Sequence, residues 1–257
     1  MLLLRYGPEG FHAAGETLDS LRILHSDPLT TAVSAWQFGR TLDISAEAIR
    51  PPVVPGKVLG IGRNYREHAR ELANPVPAEP LLFLKSPGSV IGSRTPIVLP
   101  PESSRVEFEG EIAVVLRHRL TRADAAACAR AVLGVTAAID VTARDLQRRD
   151  ATFARAKSFD TFCPLGPAIL VEPDLADLTV ETRLGGEVRQ RGHVGEMIWG
   201  IVDLLVYASR MMTLEPGDVV LTGTPAGVGP LADGDRLEVE VSGVGVLEAP
   251  VEAWRGA

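Results

Sequence analysis

The chain has 257 residues, of which 46% are hydrophobic, and it carries 26 Lys and Arg against 33 Asp and Glu for a formal net charge of -7. That apolar share supports one large core, or one core with a small extra module, and excludes global disorder. The acidic balance, with a sequence pI near 5.3, argues against nucleic acid or an anionic membrane surface as the partner, yet it allows a local basic pocket for a small anion.

In chain order, residues 1–52 alternate short apolar runs with turn residues. They end in "ISAEAIRPPVVPGK", whose three prolines mark a boundary between a small leading module and a main body over residues 53–257. The opening "MLLLRYGPEG" is too short an apolar run for a signal peptide. The longest apolar stretch, Met197 to Met212, is interrupted by Asp203 and Arg210. Both features predict a soluble cytoplasmic protein with no membrane contact. The two cysteines, Cys128 and Cys163, lie far apart with no CxxC spacing, so they read as buried thiols in a reducing compartment.

The segment "GRNYREHARELAN", Gly62 to Asn74, predicts a short helix on which His68 and Glu71 share a face. Glycines before it and "NPVPAEP" after it give ends suited to a closing segment that is mobile without a ligand. A fixed surface helix with one more i, i+3 pair is the plainer reading.

From Val58 onward strand-like runs dominate: "VLGIG", "PIVLP", "VEFEGEIAVVL", "AILV", "DVVLTG" and "RLEVEVSGVGVLEAPVE". Helices interrupt them unevenly. One is predicted over "TRADAAACARAVLG", with Thr121 and Asp124 at its start and Gly134 as its stop. A second begins near Thr142, and a third, "MIWGIVDLLVYASRMM", is apolar nearly all round and so should lie buried against the sheet. The fold class this implies is α+β, mainly β and mostly antiparallel.

In "VEFEGEIAVVL" the strand period of two places Glu107, Glu109 and Glu111 on one face. They read either as a solvated strand face or as the hard oxygen ligands of a divalent cation. Ala113 and Val115 continue that face, which predicts a far end buried on both sides. Asp140 closes an apolar run before the second helix. With the helix extended over it, Asp140, Arg144 and Gln147 fall on one face, and an Asp there is either a cap or a further Mg²⁺ or Mn²⁺ ligand. Lys85, Arg144 and Lys157 supply cations for a substrate carboxylate or an enolate, or else are ordinary surface charges. "LTGTPAGVG" at Leu221 to Gly229 lacks the ending of a phosphate-binding P-loop, but its backbone amides and the Thr224 hydroxyl can hold a carboxylate.

Taken together, "GRNYREHARE", "FLKSPGSVIG", "VEFEGEIAVV", "IDVTARDLQ", "AKSFDTFCPLGP" and "EPGDVVLTGTPAGVG" resemble, in order and spacing, the signatures of the fumarylacetoacetate hydrolase family over about Val53 to Val251. The resemblance implies a mixed β-roll, a homodimer, and a Mg²⁺ or Mn²⁺ site held by Glu109, Glu111 and Asp140, with Glu107 outside the ligand set. It implies substrate contacts from Arg144, Gln147, Lys157 and Thr224, and a catalytic dyad of His68 and Glu71 in a lid. The short chain is similar to the family's small branch of acylpyruvate hydrolases, oxaloacetate decarboxylases and isomerase/decarboxylases. The expectation is therefore metal-dependent C–C bond cleavage beside the oxo group of a small anionic 2-oxo or β-keto acid, with Lys157 and Gln147 as donors to its oxygens. A hydroxy-diene dioate isomerase and a non-catalytic binding module are the alternatives.

Overall fold

The computed structural model describes residues 1–44, 49–71 and 75–256. Residues 45–48 of the proline-rich boundary, 72–74 at the end of the predicted lid, and Ala257 lie outside the described residues.

The largest sheet runs, in spatial order, through Phe38–Thr41, Arg22–Leu24, Phe11–Gly15, Leu2–Tyr6, Cys163–Val171, Val132–Ile139, Gly110–Leu116, Val219–Leu221, Val58–Gly62 and Leu81–Lys85. The leading strands continue this sheet through Leu2–Tyr6, which pairs antiparallel with Cys163–Val171. A second sheet stacks Glu187–His193, Thr179–Leu184, Arg236–Val241, Gly245–Ala253 and Ile97–Leu99. The fold is α+β and mainly strand, as the sequence predicts. Not every ladder is antiparallel: Val219–Leu221 runs parallel to Val58–Gly62, and Gly245–Ala253 to Ile97–Leu99.

Strand Gly110–Leu116 lies between two ladders and is buried along its whole length. Its alternate residues feed different cores, Ile112, Val114 and Leu116 one, Ala113 and Val115 the other. That is the two-sided burial expected of its far end. The run is not one strand, however. Val106–Phe108 belongs to a small third sheet with Thr142–Ala143 and Gly229–Pro230, and the chain changes sheets at Glu109. Gly110 permits the crossing, because a Cβ there would stand 1.9 Å from Thr182 Oγ1. The three glutamates thus surround a junction between sheets and are all buried, which rules out a solvated strand face.

The helices are short. α1 spans Arg66–Glu71, α2 Ala125–Ala131, α3 Arg144–Arg149, α4 Ala154–Lys157 and α5 Ile201–Met211. Asp124 caps α2 by accepting from Ala127 N at 2.7 Å. α2 stops before the expected Gly134, which instead sits inside strand Val132–Ile139, because Leu170 packs too close there for any side chain. α5 is not buried all round. Ile201, Leu204, Leu205 and Ala208 face the core and α2, whereas Asp203, Arg210 and Met211 face solvent. No described helix is long and apolar enough to cross a membrane.

The helix does not extend back over Asp140, so the Asp140–Arg144–Gln147 face that such an extension would give does not form. Thr142 and Ala143 pair with Glu107 and Val106 as strand, so the helix starts at Arg144 and Asp140 stays in the turn before it. The residues still converge, by folding of the junction instead of by helical period.

Candidate metal centre and active site

Asn64, buried at the head of α1, anchors this segment. Its side-chain amide donates to Thr222 O at 2.8 Å and Trp199 O at 3.1 Å, and its Oδ1 accepts from Trp199 N at 3.0 Å. α1 then carries His68 into the interior. His68 Nδ1 lies 3.3 Å from Glu71 Oε2, and Nε2 lies 4.0 Å from Glu109 Oε1. Glu71 is itself held by Gly227 N, at 3.0 and 3.2 Å from its two oxygens. Gly227 has φ +107, a conformation only glycine adopts easily, and that turn aims its N–H at Glu71. With Nδ1–H donated to Glu71, the Nε2 lone pair faces the cavity.

Below α1, ligand oxygens of Glu109, Glu111 and Asp140 lie within 4.8 Å of one another. Lys157 Nζ bridges Glu109 Oε2 at 2.8 Å and Asp140 Oδ2 at 2.5 Å. It also sits 4.9 Å from the centre of the Phe83 ring, a cation–π contact. Arg144 holds Glu107 at 2.7 Å through Nε, Gln147 Oε1 at 2.9 Å through one terminal nitrogen, and Glu109 through the other.

These contacts set the charges. Burial alone would raise the Glu109 pKa, but the Lys157 and Arg144 charges overcome it and keep the carboxylate ionised. Burial likewise opposes the charge on Lys157, and Asp140 and Glu109 restore it. Glu111 is different. Burial, then the neighbouring Asp140 and Glu109, push its pKa well above the usual range. Its Oε2 accepts from Gly223 N at 2.6 Å, and among the described residues no Lys or Arg lies within ion-pair distance. A buried carboxylate short of positive charge, beside two other hard oxygen donors, fits a divalent cation.

A cavity of about 290 Å³ opens over this cluster, lined by His68, Glu109, Glu111, Arg144, Gln147, Lys157 and Thr224. Its size is near the lower end for small-molecule sites and suits a small acid. Lys85 is not among the lining residues. It lies behind Asp140, fully buried, donating to Asp140 Oδ1 at 2.7 Å, Val141 O at 3.3 Å and Lys157 O at 2.5 Å. All three protons are used, so it orients Asp140 and does not reach substrate. Thr224 lines the cavity, but its hydroxyl donates to Gly110 O at 2.8 Å.

One structural partner escaped sequence reasoning. Gln190 is buried, ties Gly110 N at 3.0 Å to Thr224 Oγ1 and Pro225 O at 2.7 Å each, and so braces the glycine-rich turn against the Glu109 crossing. No apolar pattern in "EVRQRGH" flags it. Glu107 receives Arg105 at 2.6 Å as well as Arg144, so both its oxygens are engaged by arginine, consistent with a place outside the ligand set.

The chain's residues 57–252 match the model of the fumarylacetoacetate (FAA) hydrolase C-terminal family. It is 46% identical over 209 residues to an uncharacterised protein of Archaeoglobus fulgidus, covering 81% of this chain and 84% of that protein. It is 40% identical over 211 residues to the mitochondrial oxaloacetate tautomerase FAHD2A of Homo sapiens, covering 77% and 67%. The crystal structure of a 2-hydroxyhepta-2,4-diene-1,7-dioate isomerase from Mycobacterium marinum superposes with a TM-score of 0.88 at 36% identity, covering all of both chains. With its motifs in order, its sheets matched over their full length and named enzymes among its relatives, this chain belongs to the fumarylacetoacetate hydrolase family, in its small branch, and is an enzyme of that family.

Proposed function

We propose that the protein is a divalent-metal-dependent enzyme acting through the enolate of a small 2-oxo acid. The observation that carries this reading is the buried Glu109–Glu111–Asp140 cluster with His68 Nε2 standing 4.0 Å from Glu109 beside it. Mg²⁺ or Mn²⁺ held by those carboxylates would supply Lewis acidity toward the substrate's carboxylate and oxo oxygens.

The rest of the chemistry falls to the chain's own residues. Lys157 donates to the oxygen on which negative charge develops, and Gln147, held by Arg144 at 2.9 Å, is placed to do the same. His68, held by Glu71, takes a proton at the carbon beside the oxo group or from a water. α1 excludes bulk solvent above them. Returning the proton to another atom gives tautomerisation or isomerisation, and the relatives named as an oxaloacetate tautomerase and a dioate isomerase favour this outcome.

C–C cleavage is the second reading, favoured by the dyad itself, since an imidazole oriented by a carboxylate suits activation of a water for attack on a distal carbonyl. Homodimeric assembly belongs to the same proposal, supported by the family and by exposed Leu84 on the edge strand Leu81–Lys85.

Product analysis with oxaloacetate, acetylpyruvate and a hydroxy-diene dioate, each with Mn²⁺, separates the outcomes. Interconversion of tautomers or isomers with no fragment released is the expected result. Release of pyruvate from oxaloacetate or acetylpyruvate would assign the cleavage reading, and inertness toward all three would reject the 2-oxo acid.

A further inference from the structure

Gly110 separates two residues of the carboxylate cluster, so the peptide units on either side of it set where Glu109 and Glu111 point. One edge of this backbone is fixed by strand Val132–Ile139, where Gly110 pairs with Ile139, and by Asp140 N, which donates to Glu109 O at 2.8 Å. Along the other edge the sheet runs out. The ladder to Val219–Leu221 ends with Ala113 opposite Leu221, followed by Thr222 N donating to Ile112 O at 3.1 Å. The buried N–H and C=O of Gly110 come next, and buried backbone groups require partners.

Side chains supply them. Gly110 N–H donates to Gln190 Oε1 at 3.0 Å, and Gly110 O accepts from the Thr224 hydroxyl at 2.8 Å. Gln190 Nε2 donates in turn to Thr224 Oγ1 and to Pro225 O, at 2.7 Å each, which closes a ring of hydrogen bonds around Gly110. The same turn carries Gly223, whose N–H holds Glu111 Oε2 at 2.6 Å. One buried amide therefore fixes both the peptide between two ligand residues and the turn that grips one of them.

A strand of the second sheet delivers that amide. Gln190 belongs to the edge strand Glu187–His193, whose Val188, Arg189 and Arg191 are exposed, yet it is itself only 1% exposed. A bulge adjoins it: Thr182 opposes Gln190 and Arg183 opposes Val188, which leaves Arg189 without an opposite residue, and bulges of this kind re-aim neighbouring side chains. The bulged Arg189 brings its carbonyl so close to the glycine-rich turn that a Cβ at Gly227 would stand 1.9 Å from it. Gln190 is not among the residues lining the cavity, so its partners are the Gly110 peptide and the turn, not substrate.

We infer that Gln190 is a positioning residue of the metal centre, holding Glu109 and Glu111 in the arrangement that a divalent cation requires while touching neither cation nor substrate. This rests on the reading of Glu109, Glu111 and Asp140 as the ligand set. An amide suits the task because the ring needs one acceptor and two donors on a single planar group, and Gln190 has Oε1 and the two Nε2 hydrogens to meet it. A ligand set is only as well placed as the hydrogen bonds behind it.

The test is calorimetric titration of the full-length protein with Mn²⁺, in the absence of substrate. Gln190→Met keeps the side chain's length and removes its three hydrogen bonds, and it should bind Mn²⁺ about 10- to 100-fold more weakly than wild type, the usual effect of losing an outer partner of a ligand. Thr224→Val opens the same ring at another point and should show a loss of the same order, with the double variant little weaker than either single one. Thr224→Ser, which keeps the hydroxyl, should match wild type in Mn²⁺ affinity. Where Gln190→Met fails to fold, the Thr224→Val and Thr224→Ser pair carries the comparison. Val180→Ala separates a merely structural role: it truncates a buried side chain in the neighbouring strand Thr179–Leu184, and should lower the melting temperature with Mn²⁺ affinity unchanged. Wild-type affinity in Gln190→Met or in Thr224→Val, losses that add in the double variant, or an equal loss in Val180→Ala would overturn the inference while leaving the ligand assignment intact. Failure of wild type to bind Mn²⁺ would overturn both.

Discussion

Replacing Glu111 by Gln or Asp140 by Asn should lower Mn²⁺ affinity by more than about 100-fold, the upper end of what loss of even an outer partner of a ligand does. Each substitution keeps shape and removes one of three hard anionic donors, and the chain offers no substitute donor among the described residues in that cluster. Glu107→Gln should leave Mn²⁺ affinity near wild type, because both Glu107 oxygens serve Arg105 and Arg144. Melting temperature gives a second readout. At a metal concentration 100 times Kd, linkage stabilises the fold by about 2.7 kcal/mol, or about 5–10 °C for a chain of this size. Glu111→Gln should lose that increment, and should melt no lower than metal-free wild type, since it removes a buried carboxylate that lacks a cationic partner. Equal impairment of Glu107→Gln and Glu111→Gln in calorimetric titration would contradict the ligand assignment.

The second large effect concerns the dyad. His68→Ala and Glu71→Ala should each reduce turnover by about 10²- to 10⁴-fold, the usual contribution of a placed general base. The double variant should be little worse than either single one, because Glu71 acts on the reaction only through the imidazole it orients. Mn²⁺ affinity should stay near wild type and the melting temperature should fall little, since α1 keeps its Asn64 anchor even where Glu71→Ala gives up the Gly227 contact. Additive losses in the double variant, or full turnover in His68→Ala, would show that the lid covers substrate without moving a proton and would shift the chemistry to the metal and Lys157.

Much of this site is legible in local sequence because its chemistry is local in period. Helical spacing brings His68 to Glu71, and they stand 3.3 Å apart. Strand spacing groups Glu109 with Glu111, and the family resemblance adds Asp140, Arg144 and Lys157, which the fold gathers into one cluster. What local pattern misses is set by contacts between distant segments. Lys85 reads as a substrate-binding cation until strand Leu81–Lys85 is seen to run along the sheet edge beneath Asp140, 55 residues away in sequence, where its ammonium is enclosed. Gln190 carries no periodic signal because its importance lies in a partner 80 residues distant, Gly110. Asp140 shares a helix face with Arg144 only where a helix reaches back over it, and pairing of Thr142 with Glu107 holds those residues as strand instead. The apolar count of α5 suggests complete burial, whereas packing against α2 needs only one of its faces.

The account stands most directly on one measurement, exchange of the C3 protons of oxaloacetate with D₂O followed by NMR. Wild type with Mn²⁺ should accelerate exchange well above the enzyme-free rate with Mn²⁺. Removing the metal with a chelator should abolish the acceleration, and Glu111→Gln and His68→Ala should each suppress it while Glu107→Gln keeps a large part. Exchange that proceeds equally with and without metal, or that is unaffected by loss of His68, would contradict the central claim that the carboxylate cluster and the dyad together generate the enolate.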